Sequence, residues 1–379
     1  MRRWFLSLGL LLGLLALAAC AAEEEATPAP TTSATAAGKA AWEQEWDRVL
    51  AAAKQEGKVA VMGPVGGQYR ELLVDLFQKT YGITVDYLGA TGSQAAPRLL
   101  TERQAGQYLW DVHIGGTTTI ITDLLPAGAA DPIKPAFILP EATDPKNWQD
   151  SRLDFADKAE VYDLVFSATP KVILAYNKDL LDPKELKSYK DLLTPKWKGK
   201  IGLVDPRVAG PGLATFTYFY MNPQLGESFV KGLSEQEPKI TRDYREIADW
   251  TAHGTIAVAI GIDESQVKPV IEAGAPVGLI QALQEGGYVT SAFGSVVLLN
   301  KAPHPNAAKV YLNWLLGKEA QTEWSRRSGY LSRRADVPQE TVPEPSRVQP
   351  GVKYDTTNYK EDVVKRKEEV AAVLGKYFK

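Results

Sequence analysis

Three times in its first third the chain passes from a short apolar strand through a glycine-rich turn into a helix, and this rhythm constrains the fold more than any other feature. Lys58-Val59-Ala60-Val61-Met62 reads as a strand, residues 63–67 as a turn containing Gly66 and Gly67, and residues 68–80 as a helix. Residues 83–88 read as a second strand, followed by a turn with Gly92 and Ser93 and a helix carrying Leu99 and Leu100. Asp111-Val112-His113-Ile114 reads as a third, ending in Gly115-Gly116-Thr117-Thr118-Thr119 before another helix. Parallel neighbours need a crossover long enough to hold a helix, so this alternation predicts an α/β fold with mostly parallel pairing.

The rhythm breaks twice. Residues 161–178 read as two adjacent strands, and residues 288–299 as one long strand. Between the breaks lies a second α/β unit, with strands at 200–204, 255–260 and 276–281 and helices at 213–220, 226–233 and 244–251. Before the first strand, Trp42, Trp46, Leu50 and Ala53 have helical spacing, and Gly57 supplies a stop. After the second break, 305–316 and 319–327 are helical, and the Pro-rich stretch 337–350 reads as an extended strap. Residues 355–378 form an amphipathic helix with Val363, Val364, Val370, Val373 and Leu374.

Ahead of this body stands a leader. Arg2 and Arg3 precede the apolar run 4–19, which is long enough for a signal sequence and short for a membrane span. The run ends Leu17-Ala18-Ala19-Cys20, which resembles a bacterial lipobox, the signal cut before a cysteine whose thiol carries lipid. Residues 21–40 hold no aromatic and no large aliphatic side chain, so they read as a flexible spacer. Cys20 is the only cysteine, which leaves the exported body without a disulfide or a thiolate metal site. A formal net charge of −3 gives no basic excess for a nucleic-acid partner. No HExxH, P-loop or G-x-S-x-G pattern marks a known catalytic site, and no cofactor is expected.

Several segments are similar to bacterial extracellular solute-binding proteins of the ferric-iron, thiamine and phosphonate uptake group. Thr194-Pro195-Lys196-Trp197-Lys198-Gly199-Lys200-Ile201-Gly202-Leu203-Val204-Asp205-Pro206 resembles a segment of that group. So does Ala302-Pro303-His304-Pro305-Asn306-Ala307-Ala308. Glu102-Arg103-Gln104-Ala105-Gly106 with Asp111-Val112 is similar to a stretch of its first lobe. The resemblance runs from about Val59 to Val337. It implies a two-lobed type II periplasmic-binding-protein fold with two hinge crossings, near 170–177 and 291–299. The signal would be 1–19, the spacer 20–40, the first lobe 41–172 with 296–379, and the second lobe 173–295. It further implies a monomeric, lipid-anchored component at the outer face of the cell membrane or in the periplasm, which hands a small solute to an ABC permease. It implies no enzyme. Carriage of ferric ion, an exported hydrolase and a ligand-sensing receptor component are the competing readings.

In open α/β sheets ligands bind beyond the carboxyl ends of the strands, where helix N-termini favour negative charge. The candidate contacts are therefore Gly66, Gly67, Gln68 and Tyr69, then Gly92 and Ser93, then Gly115, Gly116, Thr117 and Thr118, all in the first lobe. In the second lobe they are Arg207, Gly210 and Gly212 in one turn and Asp263 in another. Ferric relatives carry a carboxylate in the third turn and adjacent tyrosines near Asp263. Here those places hold Gly116 and Glu264-Ser265, so an anionic or oxygen-rich solute is expected, and thiamine phosphate stays open with Tyr69 and Trp110 as its aromatic surface. Replacing Cys20 by Ser should move the protein from the membrane to the soluble fraction; a variant that sediments with membranes as firmly as the parent would contradict the anchor.

Overall fold

The computed structural model describes residues 39–379 except Asp263. The leader, Cys20 and most of the spacer thus lie outside the described residues. Ala41–Glu56 is the first helix, and the left-handed Gly57 ends it, its N–H closing on the Ala53 carbonyl at 3.0 Å. Val49 and Ala53 are fully buried, and the helix lies against the helix Pro305–Leu315.

Two sheets carry the two lobes. In the first, the order is Thr84–Gly89, Lys58–Gly63, Val112–Gly115, Ser295–Leu299, Leu164–Val165 and Asp154–Phe155. The first three strands are parallel to one another, and Ser295–Leu299 runs antiparallel between Val112–Gly115 and Leu164–Val165. The second sheet repeats the plan: Lys239–Thr241, Ile201–Val204 and Val258–Ile260 are parallel. Leu174–Asn177 is antiparallel between Val258–Ile260 and Val277–Ile280. Mixed pairing replaces the expected mostly parallel one because each sheet takes in one central strand that arrives from a lobe crossing.

Both sheets are covered on both faces, as buried parallel sheets must be. Along Lys58–Gly63, Val59 and Val61 belong to one apolar cluster and Ala60 and Met62 to the other. In the second lobe, Ile201, Leu203, Val258 and Ile260 face one layer, while Val204 and Ala259 face the opposite one. The period of two along each strand puts a core on each side.

The crossings form a small third sheet. Thr169–Pro170 pairs antiparallel with Gly287–Thr290, which in turn pairs parallel with Tyr354–Asp355. The segment expected to be one long strand over 288–299 is therefore two, Gly287–Thr290 in the hinge and Ser295–Leu299 in the first sheet. Between them Ala292 takes a positive φ of 46°, and the Gly294 N–H closes on the Ser291 carbonyl at 2.6 Å. A side chain at Gly294 would collide with Ser167, so the turn is as tight as glycine allows.

The closing helix starts later than expected, at Glu361–Tyr377, because residues 354–355 are spent as a strand. Grouped with the first lobe on sequence, it packs against elements of both lobes.

Candidate functional site

The turns singled out in the sequence sit at the carboxyl ends of the parallel strands in both lobes. Gly67–Arg70 opens a helix that continues to Tyr81, with Gly66 at its N-cap. Gly67 and Gln68 are exposed, and the Gln68 side chain folds back over Gly66. Gly92 opens the helix Gly92–Gln104, capped by Thr91, whose N–H donates to Gln94 Oε1 at 3.1 Å. A Cβ on Gly92 would collide with Thr119 Oγ1, so the second and third turns are in contact through this glycine. Ser93 lies in the first turn of that helix.

The third turn backs onto the hinge. Gly116 lies beneath the Ala292 carbonyl, and Ser291 Oγ donates to Thr117 Oγ1 at 3.4 Å. Thr117 is buried by these contacts, whereas Thr118 is exposed.

In the second lobe the two turns touch backbone to backbone. Gly261 has a φ of +72°, and a Cβ there would lie 2.8 Å from Gly212 Cα, so only glycine fits. The Tyr244 hydroxyl lies where a side chain on Gly210 would point. Beside it opens a depression of about 530 Å³ lined by Arg242, Asp243, Tyr244, Arg245 and Gln266. None of these five was singled out by sequence; Lys239–Thr241, the strand leading into them, is a three-residue edge too short to read.

Charge in this lobe is already compensated. Arg207 donates through Nε to Asp205 Oδ1 at 2.8 Å and through Nη2 to Oδ2 at 3.0 Å, a bidentate fork. Its Nη1 donates to the Phe378 carbonyl at 3.1 Å. Arg242 Nε donates to the same Asp205 carboxylate at 2.9 Å. Burial works to raise the Asp205 carboxyl, yet the Arg207 and Arg242 hydrogen bonds outweigh it and hold it at about 2. Arg207 is thus a held side chain, and the exposed Arg242 and Arg245 present the outward positive charge.

At the hinge, Lys171 pairs with Glu264, whose other oxygen accepts from the Val172 N–H at 3.0 Å. This joins the first residue of the helix Glu264–Glu272 to the crossing strand. The preceding Asp263 lies outside the described residues.

Two expected aromatic contacts are elsewhere. Tyr69 is only 4% exposed, its ring 5.5 Å from Trp324 and 6.0 Å from Phe293, and burial pushes its hydroxyl well above the usual phenol range. Helical spacing explains this: Tyr69, Leu72, Leu73 and Phe77 share one inward face. Trp110 precedes the third strand, at the end opposite the turns, and donates to Glu102 Oε2 at 2.7 Å. Tyr218 is also buried, and its hydroxyl donates to the Glu285 carbonyl at 3.0 Å. Among the described residues no group of three or more His, Cys, Asp or Glu side chains could hold a metal ion.

Mixed sheets in two lobes, joined by a strand hinge and each carrying glycine-rich turns at the carboxyl ends of its parallel strands, define a two-lobed binding protein. The chain belongs to the family of bacterial extracellular solute-binding proteins, whose model matches residues 73–349. Its fold is similar to the apo ferric ion-binding protein A of Pasteurella haemolytica, at a TM-score of 0.63 and 18% identity over 85% of this chain and 98% of that one. It is also similar to the periplasmic binding protein AfuA of Actinobacillus pleuropneumoniae with exogenous fructose-6-phosphate bound, at a TM-score of 0.58 and 18% identity over 83% and 97%. An uncharacterized protein of Haemophilus influenzae is 29% identical over 140 residues, which is 36% of this chain and 38% of that protein. The match thus spans less than half of that relative.

His113 lies directly below the third turn. Its ring is buried, with Nε2 filling the space beneath Gly115 and the Met62 backbone within reach of the imidazole. Burial pulls the imidazole from 6.5 down to about 4. The folded state therefore stays neutral while the unfolded chain takes up a proton, so stability falls as pH drops through this window. The loss from this one group should reach about 3 kcal/mol between pH 7 and pH 4. Urea unfolding at the two pH values should show a shallower loss in His113→Leu than in the parent, and equal losses would contradict the assignment.

Proposed function

We propose that this chain is the solute-capturing component of an ABC importer, and that the solute is a small anion such as a phosphate ester, phosphonate or carboxylate. The observation that carries the reading is the arrangement of glycine-rich turns at the carboxyl ends of parallel strands in both lobes, with turns from each lobe bordering the same hinge. Helix N-termini at these turns offer free N–H groups and a positive dipole end. Arg242 adds an exposed guanidinium. The lobes close about the paired strands Thr169–Pro170 and Gly287–Thr290, and the protein works as a monomer. Lipid on Cys20 tethers it outside the cytoplasm, with the spacer giving it reach to the permease.

AfuA holds a sugar phosphate on the same fold, which supports an anionic solute. Ferric ion is the second reading, favoured by the ferric-binding neighbour. Against it stand the buried Tyr69 and Tyr218, neither of which offers a phenolate at the turns. A sensing role for the same lobes would keep the solute and change only the membrane partner.

A thermal-shift panel of sugar phosphates, phosphonates, carboxylates and ferric citrate tests the proposal. An anion at a hundredfold excess over its Kd should stabilise by about 3 kcal/mol and raise the melting temperature, without turnover. A visible phenolate charge-transfer band with ferric citrate, lost in Tyr69→Phe or Tyr218→Phe, would replace the anion with iron.

A further inference from the structure

We propose that the C-terminal segment from Tyr354 onward is a brace across the hinge, which fixes the angle between the lobes in the solute-free protein. The proposal rests on the reading above only in that closure about a solute must then work against the brace.

The segment begins on the hinge itself, where Tyr354 and Asp355 pair with Gly287 and Tyr288. It is then fastened to the first lobe. Tyr359 donates its hydroxyl to Asp154 Oδ2 at 2.6 Å, and Lys360 pairs with the same carboxylate while donating to the Phe155 carbonyl at 2.6 Å. The Glu361 N–H donates to the Ala156 carbonyl at 2.9 Å, and the Glu361 carboxylate accepts from the Lys158 N–H at 2.7 Å. Tyr359 and Val364 share a buried cluster with Ile121, Ala156 and Val165. Asp154 and Phe155 are the edge strand of the first sheet, so this end belongs to that lobe.

The other end is fastened to the second lobe. Val370, Leu374 and Phe378 are buried with Phe216, Phe219 and Phe229, and the Phe378 ring meets Phe216 edge-on at 5.3 Å. The Tyr377 hydroxyl donates to Glu227 Oε1 at 2.6 Å, and the Phe378 carbonyl accepts from Arg207. The helix Glu361–Tyr377, whose two ends carry these anchorages, rises about 25 Å over its 17 residues.

A stiff rod held at both ends cannot follow a rotation of one lobe relative to the other. Either one end must slide or the lobes must stay put. The anchorages also adjoin the turns of the site. Ile120–Leu124, against which the helix packs, directly follows Thr117–Thr119, and Pro211–Met221 directly follows Gly210. Arg207 belongs to the second-lobe turn and holds the Phe378 carbonyl. Movement of either turn is thereby felt by the rod. Two hinge strands alone would leave the lobe angle to soft backbone torsions, whereas a third connection away from them triangulates it.

Distances between spin labels test this without any solute. In full-length chain carrying Cys20→Ser, which leaves no native thiol, Lys79→Cys labels the first lobe and Lys231→Cys the second. The parent should give one narrow distance distribution. Lys360→Gln at one end and Phe378→Ala at the other should each broaden it and shift its mean by several ångströms, and combining them should add little, since a rod freed at one end no longer braces. Leu374→Ala, which removes a smaller part of the same buried contact, should broaden it in the same sense and serves if Phe378→Ala does not fold. Distributions of Lys360→Gln and Leu374→Ala that superimpose on the parent would overturn the brace, as would additive shifts in the double variant. Absence of anion binding in the thermal-shift panel would leave this measurement intact, and failure of the brace would leave anion binding standing.

Discussion

Everything in this molecule hangs on two antiparallel strands that each sit inside a lobe's sheet, next to its parallel strands. Leu174–Asn177 and Ser295–Leu299 are almost wholly buried, and each is fed by one strand of the hinge pair. Removing either would split a sheet between its parallel and antiparallel parts. The lobes are therefore tied together from their centres, and the hinge is a short paired ribbon rather than a loose linker. That ribbon is short enough to bend, yet its register fixes which turns of the two lobes share a border.

The turns owe their position to the parallel strands. Three strands in each lobe point their carboxyl ends the same way, so every turn after them opens on the same side. Contacts between the turns then fix their separation: Gly92 against Thr119 in one lobe, Gly212 against Gly261 in the other. Charge is spent carefully at this surface. Asp205 holds Arg207 and pairs with Arg242, and Glu264 neutralises Lys171, which leaves the exposed guanidinium edges of Arg242 and Arg245 and backbone N–H groups as the outward donors. Under the proposed function, such a site would take an anion without displaying a concentrated positive field.

Much of the architecture was legible in the sequence because parallel strands buried on both faces read as continuous apolar runs. Residues 58–62 and 201–204 are of this kind. The Lys239–Thr241 strand was not legible, since a three-residue polar edge carries no period. Residues 288–299 read as one strand because both halves are apolar and the turn between them, Ser291-Ala292-Phe293-Gly294, contains a single glycine. Tyr69 looked like a turn residue, although its spacing with Leu72, Leu73 and Phe77 already marked an inward face. Arg207 looked like a free donor, although Asp205 two residues earlier is within reach of the same side chain. The double anchorage of the C-terminal helix had no local signal at all, because it depends on contacts with residues more than a hundred positions away.

Small-angle scattering with and without the solute found by thermal shift tests the central claim most directly. Two lobes that close on a solute should give a smaller radius of gyration at saturation. A scattering profile identical in the two states would contradict a hinged, cleft-closing binding protein.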